Sequence, residues 1–183
     1  MNSVKKANGY ISLLSIILML AHAVYQLVSY VIFYYNPVIS KVLGYGTAAL
    51  ILIHIVLSVF SLVRLHDSSS VMYKKLNART LIQRGSGMLM LILLPIHIYS
   101  FKLLGMSVGT IWYWLVEASQ VIFFASLYTH VAISFTRALI SLGWLTDDRK
   151  RASIDRFLII LAPIAAVITG FIIVRTHLML FGH

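Results

Sequence analysis

Polar residues are scarce in this chain and gathered into short segments. They divide it into five long apolar stretches, residues 10–34, 43–64, 82–103, 112–142 and 156–180. At 1.5 Å of helix per residue, each can cross a hydrocarbon layer about 30 Å thick. Backbone in lipid must satisfy its own hydrogen bonds, so uninterrupted apolar runs of this length read as helices. The pattern predicts an all-α membrane protein, a five-transmembrane-helix bundle forming one domain over residues 1–183.

The breaks between stretches have local causes. Tyr30, Tyr34 and Tyr35 form an aromatic belt at the outer end of the first span, and Asn36-Pro37 ends it, because the residue before proline disfavours helix. Residues 65–80 make a polar inner loop. Arg84 and a small-residue turn, Gly85-Ser86-Gly87, lead into the third span, where Pro95 frees the carbonyl of Leu91 and should kink the helix just before His97. Residues 104–112 read as a glycine-containing outer turn. The fourth span is long enough to tilt or to extend beyond the lipid. Residues 146–151 are a solvated inner loop, Asp155 is placed to cap the last helix, and Pro163 should kink it. No internal repeat, low-complexity tract or second domain is visible.

Composition agrees with the membrane reading: 60% of residues are hydrophobic and the mean hydropathy is +0.92. The first apolar run is too long for a cleavable signal and lacks a small-residue cleavage site. No cysteine is present, so the chain can neither ligate an iron–sulfur cluster with its own thiolates, attach a c-type haem, nor form a disulfide. The net charge of +10 suggests nucleic acid until its distribution is considered. Lys5, Lys6, Arg64, Lys74, Lys75, Arg79, Arg84, Arg137, Arg149, Lys150, Arg151 and Arg156 fall at alternate helix ends, and only Lys41, Lys102 and Arg175 fall opposite. That bias puts the N-terminus in the cytoplasm and, after five spans, the C-terminus outside, in a multi-pass protein of the cytoplasmic membrane with no nucleic-acid partner. The basic face could also dock an acidic partner or anionic lipid, although topology alone explains it.

Histidine carries the chemistry. His22, His54, His97 and His130 occur one per span in four consecutive spans, while His66, His177 and His183 lie at loops or ends where nothing special is implied. Counted from the inner ends, His22 and His97 lie at similar depth, roughly 20 Å in. His54 and His130 match each other at a slightly shallower level. An imidazole in lipid is costly to leave idle. Two pairs matched in level are what two iron centres stacked across a membrane need, with one imidazole on each face of a b-type haem. Depth favours His22 with His97 and His54 with His130, but sequence alone does not dictate the pairing.

Supporting residues are less specific. Arg64, Arg84 and Arg137 could meet haem propionates or act only as interfacial anchors. Ser86 is counted with the cofactor-binding residues, and Gly85 and Gly87 would admit a macrocycle or, more commonly, a neighbouring helix. Glu117, the only acidic residue in the outer half, could accept a proton from a quinol; a carboxylate facing water is the simpler reading.

With its four-histidine ladder and the stretches QRGSGMLMLILLPIHIY (83–99) and THVAISFTRALISLG (129–143), the chain resembles the di-haem cytochrome b membrane-anchor subunits of succinate dehydrogenase and quinol:fumarate reductase. The resemblance spans most of residues 10–180. It implies two haem b groups, a proximal one on His54 and His130 and a distal one on His22 and His97. It also implies a quinone, menaquinone in the di-haem type, reacting near the distal haem. Cytoplasmic partners would be an iron–sulfur subunit and an FAD flavoprotein carrying the dicarboxylate chemistry, so that this chain is the electron-transfer subunit of an oxidoreductase complex. The chain departs from the family in its compact length, and no residue matches a family quinone-site acid, so Glu117 is not a transfer. Two other readings fit the same residues: a cytochrome b anchor of another respiratory dehydrogenase, and a proton channel or transporter using the histidines as a relay.

Overall fold

The computed structural model describes the backbone of residues 3–64 and 74–181 and the side chains of residues 4–60 and 78–181. Among the described residues the chain is entirely helical, with six helices and no strand: α1 (Ser3–Ile32), α2 (Pro37–Arg64), α3 (Lys74–Ile98), α4 (Ser100–Ser107), α5 (Ile111–Leu142) and α6 (Asp148–Phe181). All except α4 are long and apolar enough to cross a membrane.

Helix boundaries follow identifiable local chemistry. Phe33 takes a left-handed conformation (φ 54°) that helix ends usually give to glycine, and α1 stops before it. Asn36 then begins α2 instead of merely ending α1. Its side-chain oxygen accepts from the backbone N–H groups of Val38 and Ile39 at 3.0 and 3.3 Å, and Pro37, which has no N–H to satisfy, fills the first helical position. Tyr25 reaches across from α1, its hydroxyl accepting from Asn36 N–H at 2.7 Å. At the other end of the bundle, Gly143 (φ 78°) closes α5 by a Schellman arrangement, Gly143 N–H to the Ile140 carbonyl and Trp144 N–H to that of Leu139, both at 3.0 Å.

Several local expectations need correction. The triplet Gly85-Ser86-Gly87 is no turn but lies within α3, where helical hydrogen bonding outweighs the conformational cost of two glycines. Pro95 lies inside α3, and the helix breaks after His97: Tyr99 leaves helical geometry (φ −96°, ψ 8°), while Tyr99 N–H to the Pro95 carbonyl, 3.1 Å, and Leu103 N–H to the Tyr99 carbonyl, 2.9 Å, carry the ladder across. Of the expected outer turn, residues 104–107 belong to helix α4 and 111–112 to α5, so the non-helical turn is confined to residues 108–110. Asp155 caps nothing, because α6 begins seven residues earlier, where the Asp147 side chain accepts from Arg149 N–H at 2.7 Å and from Lys150 N–H at 3.3 Å. Helix α6 continues through Pro163. Of the expected inner loop, residues 74–80 are already helical, and residues 65–73, with His66, lie outside the described residues.

Packing centres on α5, which touches α1, α3, α4 and α6. Its length of about 48 Å lets it meet neighbours along the whole bundle. Among the described residues α2 approaches only α1, and α3 approaches only α5 and α4. The α1–α2 pair and the α3–α5 pair are thus joined along α1–α5, with no backbone contact between α2 and α3. The surface is inverted relative to a water-soluble protein. Large apolar side chains such as Ile17, Val42, Leu81, Trp112 and Val167 are exposed, while the buried described residues include fifteen polar or charged ones against ten apolar. That is the expected order when the surrounding solvent is hydrocarbon, because polar groups are then best satisfied between helices.

Candidate functional site

Three of the four ladder histidines are held by oxygen acceptors at Nδ1. His130, on α5, donates its Nδ1–H to the backbone carbonyl of Gln83 on α3 at 2.9 Å, with the Ser86 hydroxyl 3.5 Å from the same nitrogen. His97, on α3, donates to the Gln120 side-chain oxygen on α5 at 2.9 Å and stacks on Phe123, centroids 4.4 Å apart and planes 10° from parallel. His54, on α2, has Nδ1 3.0 Å from both Asn8 Oδ1 and Ser12 Oγ on α1. The Ser12 hydroxyl hydrogen already goes to the Asn8 carbonyl at 2.7 Å, so Ser12 Oγ can only accept from the ring. In each case a proton on Nδ1 leaves the lone pair on Nε2. This is how metal-ligating histidines are oriented, the outer hydrogen bond fixing the tautomer and raising ligand basicity. The fourth, His22, has a buried Nδ1 with no partner.

His54 and His130 lie within electrostatic reach of each other, and His97 lies within reach of both His22 and His177, so the expected partners are neighbours in each case. Both pairs join the α1–α2 half to the α3–α5 half, across the division that α2 and α3 leave open. All four rings are half-buried. Glycines stand beside two of them. A Cβ at Gly87 would come within 3.0 Å of His130 Cε1, and one at Gly44 would meet His22 Cε1 at 3.5 Å. Gly85, by contrast, has nothing within 4 Å. Among the described residues no three His, Cys, Asp or Glu side chains converge, so a closed three- or four-ligand metal centre is not built from them. The donor set fits a group that needs one imidazole from each side and brings its remaining ligands itself. A b-type haem is such a group.

The other expected residues are placed unevenly. Arg137 is engaged by α3, donating to the Gln83 side-chain oxygen and, at 2.9 Å, to Thr80 Oγ1. Arg84 is exposed, and the side chain of Arg64 lies outside the described residues, as does His183. Ser86 is beside His130 as described. Glu117 does not face water. It is 3% exposed, and its Oε1 accepts from Nδ1 of His177, itself 1% exposed, at 2.7 Å. Two helices carry the pair into the interior, where an unpaired carboxylate would be far costlier than a paired one.

His177 is the clearest residue that reading the sequence missed, because its position near the chain end looked peripheral. A usable signal existed on α5: Tyr113, Glu117 and Gln120 recur at helical spacing, and all three are buried on one side of that helix. Asp155 is the other. Its carboxylate pairs with Arg79 through two bonds of 2.6 and 2.5 Å and accepts from Thr136 at 2.6 Å, tying α3, α5 and α6 together at the basic end.

Comparison with protein-family models, curated proteins and solved structures finds no match. The chemistry of the site therefore rests on its own geometry.

Proposed function

We propose that this chain is the cytochrome b membrane anchor of a succinate:quinone or quinol:fumarate oxidoreductase, carrying electrons between a membrane quinone and a cytoplasmic iron–sulfur and flavoprotein pair. The observation that carries this reading is the shared design of the ladder histidines. Each pair draws one imidazole from either half of the bundle, and three of the four direct Nε2 away from an oxygen-held Nδ1. His54 and His130 would hold one haem b, and His22 and His97 the other. Held by one imidazole from each side, such a group would supply one-electron transfer and little else.

The protein's own residues have three tasks in this reading. Asn8, Gln120 and the Gln83 carbonyl hold the ring orientations and tune ligand basicity. Gly87 and Gly44 keep the approaches to His130 and His22 free of side chain. The twelve inner-end cations give the chain a basic cytoplasmic face against which soluble subunits would dock, with the dicarboxylate chemistry on those subunits.

The test is the dithionite-reduced minus oxidised spectrum of the purified protein, with haem counted per chain. Two b-type haems with no shift under carbon monoxide are expected. A colourless protein would overturn the reading and favour a histidine-relay transporter, and a co-purifying nickel or molybdenum subunit would move the anchor to another dehydrogenase.

A further inference from the structure

A groove of about 780 Å³ runs between α5 and α6 on the apolar surface of the bundle, within the size range of small-molecule sites. Side-chain size is its local cause. Ala166 and Gly170 stand one turn apart on α6, and Ala125 lines the same space from α5, where larger residues would fill it. Gly170 forms the floor: it is buried, and a Cβ there would meet Val121 of α5 at 3.7 Å. Val167 and Phe171 stand exposed as one wall. From Ala166 to Leu178 the groove follows α6 for about 18 Å, close to the depth of one leaflet of a hydrocarbon core about 30 Å thick.

Arg175 is the one charged residue in that lining. It is half-buried and, among the described residues, makes no hydrogen bond or ion pair. No described acid is free to serve it. Glu117 of α5 is turned into the interior on His177, and Asp148 and Asp155 lie at the other end of α6. Cations in membrane segments pair with an anion or reach the interface. Only about 9 Å of helix separates Arg175 from Phe181, the end of α6, so its guanidinium can extend to headgroup level. Leu178, one turn beyond Arg175, also lines a second cavity of about 410 Å³ at the α4–α5 turn, with Thr110 and Tyr113 in its wall. The Tyr113 hydroxyl is buried without a partner. Apolar groove, lone cation and polar cavity follow one another along α6, and a phospholipid presents chain, phosphate and headgroup in that order.

We propose that the α5–α6 groove holds one acyl chain of an anionic glycerophospholipid, with the phosphate on Arg175 and the headgroup over the cavity at the α4–α5 turn. A guanidinium takes two phosphate oxygens at once, which fixes the lipid in place instead of merely attracting it. The groove offers a cation and no carboxylate, so the ammonium of a zwitterionic lipid finds no counter-ion there and a net negative lipid is preferred. The bound lipid touches both α5 and α6 and joins them on the side that faces the membrane. Neither Arg175 nor any other lining residue belongs to the histidine pairs, so the site stands independently of the electron-transfer reading.

The experiment is photo-crosslinking of the full-length protein in phosphatidylcholine nanodiscs that contain a small fraction of phosphatidylglycerol with a diazirine in one acyl chain. Labelled residues are located by mass spectrometry, and a phosphatidylcholine probe with the same diazirine is run in parallel. The phosphatidylglycerol probe is expected to label Ala125, Ala166 and Val167 saturably and well above Val42 and Val56, which face lipid on α2. The phosphatidylcholine probe should label the groove about tenfold less. Arg175→Gln should lower phosphatidylglycerol labelling about tenfold, as loss of a charge-assisted hydrogen bond implies, and Arg175→Lys should retain part of it. Ala125→Phe, at an exposed position, should block the groove to both probes and guards against a folding failure in the first variant. Groove labelling no stronger than that of α2, including the case of a second copy covering the face, would overturn the proposal. So would equal labelling by the two probes, or labelling that Arg175→Gln leaves unchanged. Haem counted on the same samples keeps the readings apart: Arg175-dependent labelling of a colourless protein leaves the lipid site standing, and two haems without groove labelling remove the lipid site alone.

Discussion

Glu117 and His177 are 60 residues apart in sequence and 2.7 Å apart in space, on helices that must dock before either charge-bearing group can be buried. This hydrogen bond is a condition of the α5–α6 interface as much as a product of it. Removing one partner leaves the other buried alone.

His177→Ala should accordingly destabilise the protein by about 3 kcal/mol or more, the usual cost of orphaning a buried charged partner. The double variant His177→Ala with Glu117→Leu should recover much of that loss, because no unpaired carboxylate remains. Denaturant titration of the helical signal in detergent would measure both. Equal stability of the single and double variants would show that the carboxylate is not what makes the loss.

The histidine pairs can be separated by substitution. His54→Ala and His130→Ala should each weaken or remove the same one of two haems, and His22→Ala and His97→Ala the other, because each haem would draw both its protein ligands from one pair. Reduced-minus-oxidised spectra with haem counted per chain would show it. Loss of both haems in every variant would contradict two independent pairs.

Asn8 and Gln120 act on the ligands from behind. Replacing Asn8 with Ala or Gln120 with Leu removes the acceptor held by Nδ1 of His54 or His97, and should lower affinity for the corresponding haem about tenfold without abolishing it. Haem transfer to a soluble acceptor protein would give the ratio. His54 keeps Ser12 Oγ at 3.0 Å, so the effect should be the smaller at Asn8.

Two glycines in one motif should respond oppositely. A Cβ at Gly87 comes within 3.0 Å of the His130 ring and requires it to move, an overpacking effect of about 1–3 kcal/mol. Gly85 has nothing within 4 Å, so Gly85→Ala should be neutral or slightly stabilising through the gain in helix propensity. Thermal stability together with haem content would distinguish them.

At the basic end, Asp155→Asn should cost about 1–3 kcal/mol, since it weakens two bonds from Arg79 and one from Thr136 in a partly buried setting. The loss should shrink little in high salt, in contrast to the exposed Asp148–Arg151 pair, whose closest atoms are 3.9 Å apart. Melting curves at two salt concentrations would test this.

What the sequence determined by itself is the set of properties that depend on distance along the chain. Five apolar stretches of spanning length, the polar segments between them and one histidine in each of four spans are legible because hydrocarbon requires every crossing segment to bond its own backbone. Relative histidine depth follows from the fixed rise of a helix. The facing of polar side chains was not legible in this way. Nearly every surface of these helices is apolar, so periodicity marks the core only weakly, and the buried side chains are largely polar ones selected by a neighbour. Glu117 read as water-facing until α6 supplied His177, and Asp155 read as a cap until α3 supplied Arg79. The helix break after His97, the pairing of histidines across the α1–α2 and α3–α5 halves, and the α5–α6 groove that leads to Arg175 depend on which helices lie side by side. Only the packed bundle decides that, because each such contact joins residues whose separation in sequence carries no trace of it.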